Sequence, residues 1–190
     1  MATVLLFHHA LGQTSGFLAF ADELRAAGHT VHSPDLFDGK TFATIEEGLA
    51  HVEQTGGFEK IIRRGAATAD GLPSDMVYAG FSLGVVSAQK LAQTRPGARG
   101  AILCYSCVPA SAFGAWPAGV PVEIHINEHD KWAEEDLPAA RELARDVPGA
   151  ELFLYPGSGH YFADPSFHDY DEPSAKLLMK RTLRLLARVG

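Results

Sequence analysis

Short apolar runs alternate with stretches of helical periodicity along this chain, and that alternation limits the fold more than any other feature. "TVLLFHH" (Thr3–His9) is β-branched and apolar and ends at a loop holding Gly12, as a strand does. In "SGFLAFADELRAAGH", Phe17, Phe20, Ala21, Leu24 and Ala27 recur at helical spacing, and Gly28 supplies a stop. "HTVHSPDL" is a short second strand ended near Pro34. Residues 42–73 read as mostly helical, with a break at Gly56-Gly57. "SDMVYAG", "RGAILCYS", "PVEIHIN" and "AELFLYPG" are further strands, separated by the helical stretches "LGVVSAQKLAQTR" and "EEDLPAARELARDV" and followed by "EPSAKLLMKRTLRLLARV". Each strand returning through a helix makes neighbouring strands parallel. The expectation is one α/β domain over residues 1–190, with a mostly parallel central sheet of about six strands and helices on both faces. In such sheets the loops leaving the carboxyl ends of the strands carry the chemistry.

Composition narrows the function classes. With a net charge of −7, a basic nucleic-acid surface is not expected. No apolar run approaches the roughly 20 residues that span a bilayer, so no membrane partner is expected. "MATVLLFHH" lacks the charged start and apolar length of a secretory signal, which suggests a cytoplasmic protein. Cys104 and Cys107 form a C-x-x-C pair. No second such pair exists to complete a zinc site, and Cys104 ends an apolar run, so both read as small core residues rather than redox groups.

The third strand ends in Gly80-Phe81-Ser82-Leu83-Gly84, a G-x-S-x-G. By chance alone a chain of this composition yields roughly 0.1 such matches, and the position is what gives this one weight. It lies where a strand becomes a helix. A turn sharp enough to push Ser82 into a cleft leaves no room for side chains at 80 and 84. It also sets Ser82 at a helix N-terminus, where free N–H groups favour developing negative charge.

A serine hydroxyl needs a base near neutral pH. The loop after the last strand, "YPGSGHYFAD", supplies His160 among small residues. The loop after the fifth strand, "INEHDKW", supplies Asp130 to orient the imidazole, with Glu128, His129 and Asp136 as competitors. The order Ser82, Asp130, His160 is nucleophile, acid, base, each just beyond a different strand. Oxyanion donors are expected from the backbone N–H of Leu83 and from the first loop, "HHALGQT", at Ala10, with Gly12 letting that loop approach Ser82. Adjacent His8 and His9 point opposite ways, and His125 and His129 on different elements do not complete a site, so no catalytic metal is expected. Candidate pocket walls are His9, Leu11, Phe37, Trp116, Trp132, Tyr161 and Phe162. The longest cover available is the loop from Val108 to Pro121, too short for a large lid. The Arg63-Arg64 pair reads as a solvated helix face.

"FHHALGQTSG", "SPDLFDGKTF", "AGFSLGVV", "NEHDKW" and "YPGSGHYFAD" together resemble the dienelactone hydrolase family of the α/β-hydrolase superfamily, over nearly the whole chain. The resemblance implies hydrolysis of small esters or lactones without a cofactor. The sequence departs from the family pattern in three places. Ser82 stands where the best-known members have cysteine. His9 stands where they have a glutamate that contacts the resting nucleophile. Asp164 stands where they have an arginine that holds a substrate carboxylate, and Asp164 would repel such a group. The reading is a serine hydrolase of a small-molecule ester or lactone. Carboxylesterase or thioesterase activity on other acyl groups is the alternative within the fold, and a non-catalytic ligand binder is the alternative outside catalysis.

Overall fold

The computed structural model describes residues 1–190. Six strands, β1 (Thr3–Phe7), β2 (Thr30–His32), β3 (Val77–Phe81), β4 (Gly100–Cys104), β5 (Val122–Asn127) and β6 (Ala150–Tyr155), form one sheet in the order β2-β1-β3-β4-β5-β6. Every pairing is parallel. The helices are α1 (Ser15–Ala26), α2 (Ile45–Gln54), α3 (Gly57–Ala67), α4 (Leu83–Thr94), α5 (Leu137–Asp146) and α6 (Glu172–Val189). This is the α/β-hydrolase arrangement, with an all-parallel rather than mostly parallel sheet.

Two apolar layers enclose the sheet, sorted by the two-residue period of the strands. Val4 and Leu6 point one way and pack with Phe17, Phe20 and Leu24 of α1 and Leu178, Leu185 and Leu186 of α6. Leu5 and Phe7 point the other way, toward Val52 of α2, Ile61 of α3, Val85 and Ala88 of α4 and Leu143 of α5. The central strands β3, β4 and β5 are buried along their whole length, as strands covered on both faces must be.

The break expected at Gly56-Gly57 separates α2 from α3, and both glycines have positive φ, 115° and 76°. β1 is shorter than expected. It stops at Phe7, leaving His8 and His9 in the loop, because His8 turns inward to bond across to the next segment. Its Nδ1–H donates to the His9 carbonyl at 2.8 Å, and its Nε2 accepts the Leu36 N–H at 3.0 Å.

The long connection after β4 does not arch over the cleft as a lid. Two glutamines buried on α4 pin it down. Gln89 donates to the Val108 carbonyl at 2.7 Å and accepts the Val108 N–H at 3.1 Å. Gln93 donates to the carbonyls of Ala110 at 2.9 Å and Gly114 at 2.8 Å. Cys104 and Cys107 are free and buried, and burial pushes both thiols up, Cys107 to about 12, so neither is poised for redox chemistry.

The chain leaves β1 toward α1 on one face of the sheet and leaves neighbouring β3 toward α4 on the other. Their loops diverge, opening a crevice at the carboxyl ends of β1 and β3, the switch point where ligands bind in open α/β sheets.

Candidate active site

Ser82 stands in that crevice with φ 48° and ψ −111°, a conformation a side-chain-bearing residue adopts only under local constraint. The constraint comes from β3 running straight into α4, with the Ser82 N–H held by the Cys104 carbonyl at 2.7 Å. The flanking glycines are needed for contacts with backbone. A Cβ at Gly80 would collide with the Gly84 carbonyl and lie 2.7 Å from the Val85 nitrogen. A Cβ at Gly84 would lie 2.5 Å from the Phe7 carbonyl oxygen and 2.7 Å from that of His8. Gly84 is therefore what lets the first loop approach Ser82. Gly12, expected to do this, instead turns at φ 84° against the Lys40 carbonyl.

A chain of hydrogen bonds runs back from the serine. Ser82 Oγ–H donates to His160 Nε2 at 2.8 Å, and His160 Nδ1–H donates to Asp130 Oδ2 at 2.6 Å. The other oxygen of Asp130 accepts the Trp132 N–H at 2.9 Å. Asp130 and His160 are both nearly closed to solvent, while Ser82 is partly open. Of the competitors for the acid position, Glu128 and His129 are exposed, and Asp136 is occupied by the Ser106 hydroxyl at 2.6 Å. Two residues absent from the sequence reading hold the histidine loop. Asp169 accepts the His160 N–H at 2.8 Å, and Asn127 donates to the Gly159 carbonyl at 2.6 Å.

On the other side of Ser82 lies the first loop. The Ala10 N–H makes no backbone hydrogen bond, and the Leu83 N–H, at the first turn of α4, has no preceding helical carbonyl to bond. Both are free to donate into the crevice. Gly48 of α2 packs so closely beneath Ala10 that a Cβ there would strike the Ala10 carbonyl, which fixes the height of the loop.

His9 and Asp164, two of the three departures from the family pattern, meet in the structure. His9 Nε2–H donates to Asp164 Oδ2 at 3.0 Å, and His9 Nδ1 accepts the Leu11 N–H at 3.3 Å, which fixes the tautomer. Asp164 also accepts the Thr14 hydroxyl at 2.5 Å and, on its other oxygen, the Ser166 N–H at 2.8 Å and hydroxyl at 2.5 Å. Burial alone would raise the Asp164 carboxyl; the bonds from His9, Ser166 and Thr14 outweigh it and hold the group at about 2. Burial lowers His9, so the imidazole is neutral near pH 7. Asp164 is thus consumed within the protein, 4% exposed, and does not face a substrate as expected from sequence.

The expected pocket walls divide. Trp132 is 48% exposed, and its ring centroid lies 6.3 Å from that of His160. It lines a depression of about 320 Å³ that passes His160 and is bounded by Thr44, Ile45, Glu46, Lys131, Phe167 and His168. His9 and Tyr161 stack on each other at 4.4 Å, and the Tyr161 ring lies 4.6 Å from that of His160. Of the other four, three pack as core and Trp116 is half-buried against it, which corrects the expectation. Leu11 joins the α1 layer, Phe37 packs edge-on to His8 at 4.8 Å, and Phe162 lies against Tyr155 at 4.8 Å. Trp116 packs on the opposite layer with its indole N–H on the Val120 carbonyl at 2.7 Å. Aromatic and aliphatic side chains that leave strand ends bury wherever apolar space is offered. Arg64 pairs with Asp38 at the surface.

Among solved structures, a candidate dienelactone hydrolase from Klebsiella pneumoniae superposes with a TM-score of 0.76 at 18% identity, covering 99% of this chain and 87% of its own. A dienelactone hydrolase-like promiscuous phosphotriesterase from metagenomic libraries superposes at 0.75 with 16% identity, covering 100% and 87%. A thioesterase domain from the curacin biosynthetic pathway does so at 0.64 with 16% identity, covering 96% and 90%. At these identities the likeness carries the fold. No curated protein matches the sequence significantly. The model of the dienelactone hydrolase family, however, matches residues 1–190. The chain belongs to the dienelactone hydrolase family and is an α/β hydrolase acting on ester bonds.

Proposed function

We propose that this protein is a single-domain serine hydrolase of small carboxylic esters or lactones, working through an acyl-enzyme. The observation that carries the reading is the unbroken relay from Ser82 Oγ through His160 to Asp130, at 2.8 and 2.6 Å. Ser82 Oγ attacks the carbonyl carbon while His160 Nε2 takes its proton. Asp130 keeps the imidazole in the tautomer that can do so and favours the imidazolium that forms. The carbonyl oxygen becomes an alkoxide held by the Leu83 and Ala10 N–H groups. His160 then returns its proton to the leaving alkoxide, and water, activated by the same imidazole, releases the acyl group.

The open depression beside His160, the pinned Val108–Pro121 loop and the lack of a large cover favour small substrates. No arginine follows His160 to hold a substrate carboxylate, which favours neutral acyl groups. The test is hydrolysis of p-nitrophenyl acetate and a set of simple lactones by the wild type and Ser82→Ala. The reading expects turnover with an acyl burst and a loss of at least about 10³-fold in the variant. Tight binding of such compounds without turnover would instead identify a ligand binder.

A further inference from the structure

Tyr161 follows the proposed general base, and nothing in the relay uses it. Its side chain is fully buried. The ring is stacked on His9 at 4.4 Å with an interplanar angle of 21°, and Phe167 closes on it edge-first at 5.3 Å. His9 is itself fixed by Asp164 and the Leu11 N–H, so the phenol is held by a locked neighbour. Despite this burial its hydroxyl makes no hydrogen bond of ordinary geometry. The Ser82 side chain and the Ala10 N–H face that oxygen, with the Asp130 and Asp164 carboxylates beyond them.

A buried hydroxyl without a partner is costly, and phenylalanine would fill the same space without that cost. Packing therefore does not account for the oxygen. Its neighbours do, because one is the attacking nucleophile and the other is a donor to the alkoxide. When Ser82 Oγ bonds to the carbonyl carbon, the alkoxide oxygen forms on that same carbon, within reach of the Ala10 N–H. That places it beside the Tyr161 hydroxyl.

We propose that the Tyr161 hydroxyl is a third donor to the tetrahedral alkoxide, acting with the Leu83 and Ala10 N–H groups. The proposal rests on the serine-hydrolase reading above. It is a hydrogen bond and not a proton transfer, and the O–H stays intact throughout. Burial, by pushing the phenol well above its ordinary value, keeps that proton in place at neutral pH. The His9–Asp164 pair acquires a role as positioning residues, since the His9 ring sets the plane of the phenol.

The experiment is Tyr161→Phe, assayed on p-nitrophenyl acetate and for inhibition by an aryl trifluoromethyl ketone, which forms a tetrahedral adduct with an active serine. The expected result is a fall in kcat on the order of 10- to 100-fold, with KM within about threefold. Inhibition should weaken by the same factor as kcat/KM, because both report the charged adduct. The unfolding midpoint should hold or rise, since an unpartnered polar atom has been removed. Unchanged or increased kcat would overturn the proposal and mark the hydroxyl as an occupant that substrate displaces. A fall in kcat with undiminished ketone affinity would also overturn it. Full activity in Ser82→Ala would instead sink the underlying hydrolase reading, so the two failures are distinguishable.

Discussion

Asp164→Asn tests whether the buried His9–Asp164 pair is a structural anchor. The carboxyl sits at about 2 against an ordinary value of 3.8, and that gap corresponds to about 2 kcal/mol of stability. The group's folded value is depressed. Its contribution is therefore complete above the unfolded value and is lost as pH falls through about 2. About half should remain at pH 3. Asparagine retains one acceptor oxygen but turns an NH2 toward donors. Either the Ser166 groups or the His9 N–H and Thr14 hydroxyl lose their acceptor. Flipping the His9 tautomer gives no relief, since Nδ1–H would then meet the Leu11 N–H. Urea unfolding of wild type and variant at pH 7, 5, 4 and 3 reads the difference directly. The expected gap is about 2 kcal/mol at pH 7, narrowing below pH 4. A gap that is independent of pH, or smaller than about 0.5 kcal/mol at pH 7, would refute the argument.

Other perturbations separate scaffold from chemistry. Asp130→Asn should leave the fold intact and lower kcat by about 10³- to 10⁴-fold, because the imidazole loses its orienting acceptor; steady-state kinetics and circular dichroism check the two halves. Gly84→Ala should destabilise the protein by roughly 1–3 kcal/mol in urea titration, since its Cβ meets the immovable carbonyls of Phe7 and His8. Native Cys104 and Cys107 should resist a thiol reagent and react only on unfolding, and fast modification of the native protein would contradict their burial.

The sheet and the relay were legible because both are written locally. Val4 and Leu6 alternate with Leu5 and Phe7 in a pattern that only a strand covered on both faces needs. Gly80 and Gly84 bracket Ser82 because the turn has no space there, and His160 and Asp130 each follow directly on a strand. What sequence reading missed is made by distant residues. His9 and Asp164 lie 155 positions apart, and each alone looks like an odd departure from a family pattern. Together they are one buried acid–imidazole pair. Asp169 and Asn127, which hold the histidine loop, bear no local mark either. The pocket was over-read for the opposite reason. Phe37 and Phe162 sit in loops near the cleft in sequence, but loop position does not fix the direction of a ring, and both turned into apolar core.

The central claim is that Ser82 is an activated nucleophile. It is tested most directly by reacting the native protein with a fluorophosphonate and mapping the adduct by peptide mass, alongside Ser82→Ala. The account predicts one adduct, on Ser82, absent in the variant. A folded protein that takes up no label and turns over no p-nitrophenyl acetate would contradict it, as would an adduct on any other residue that persists in Ser82→Ala.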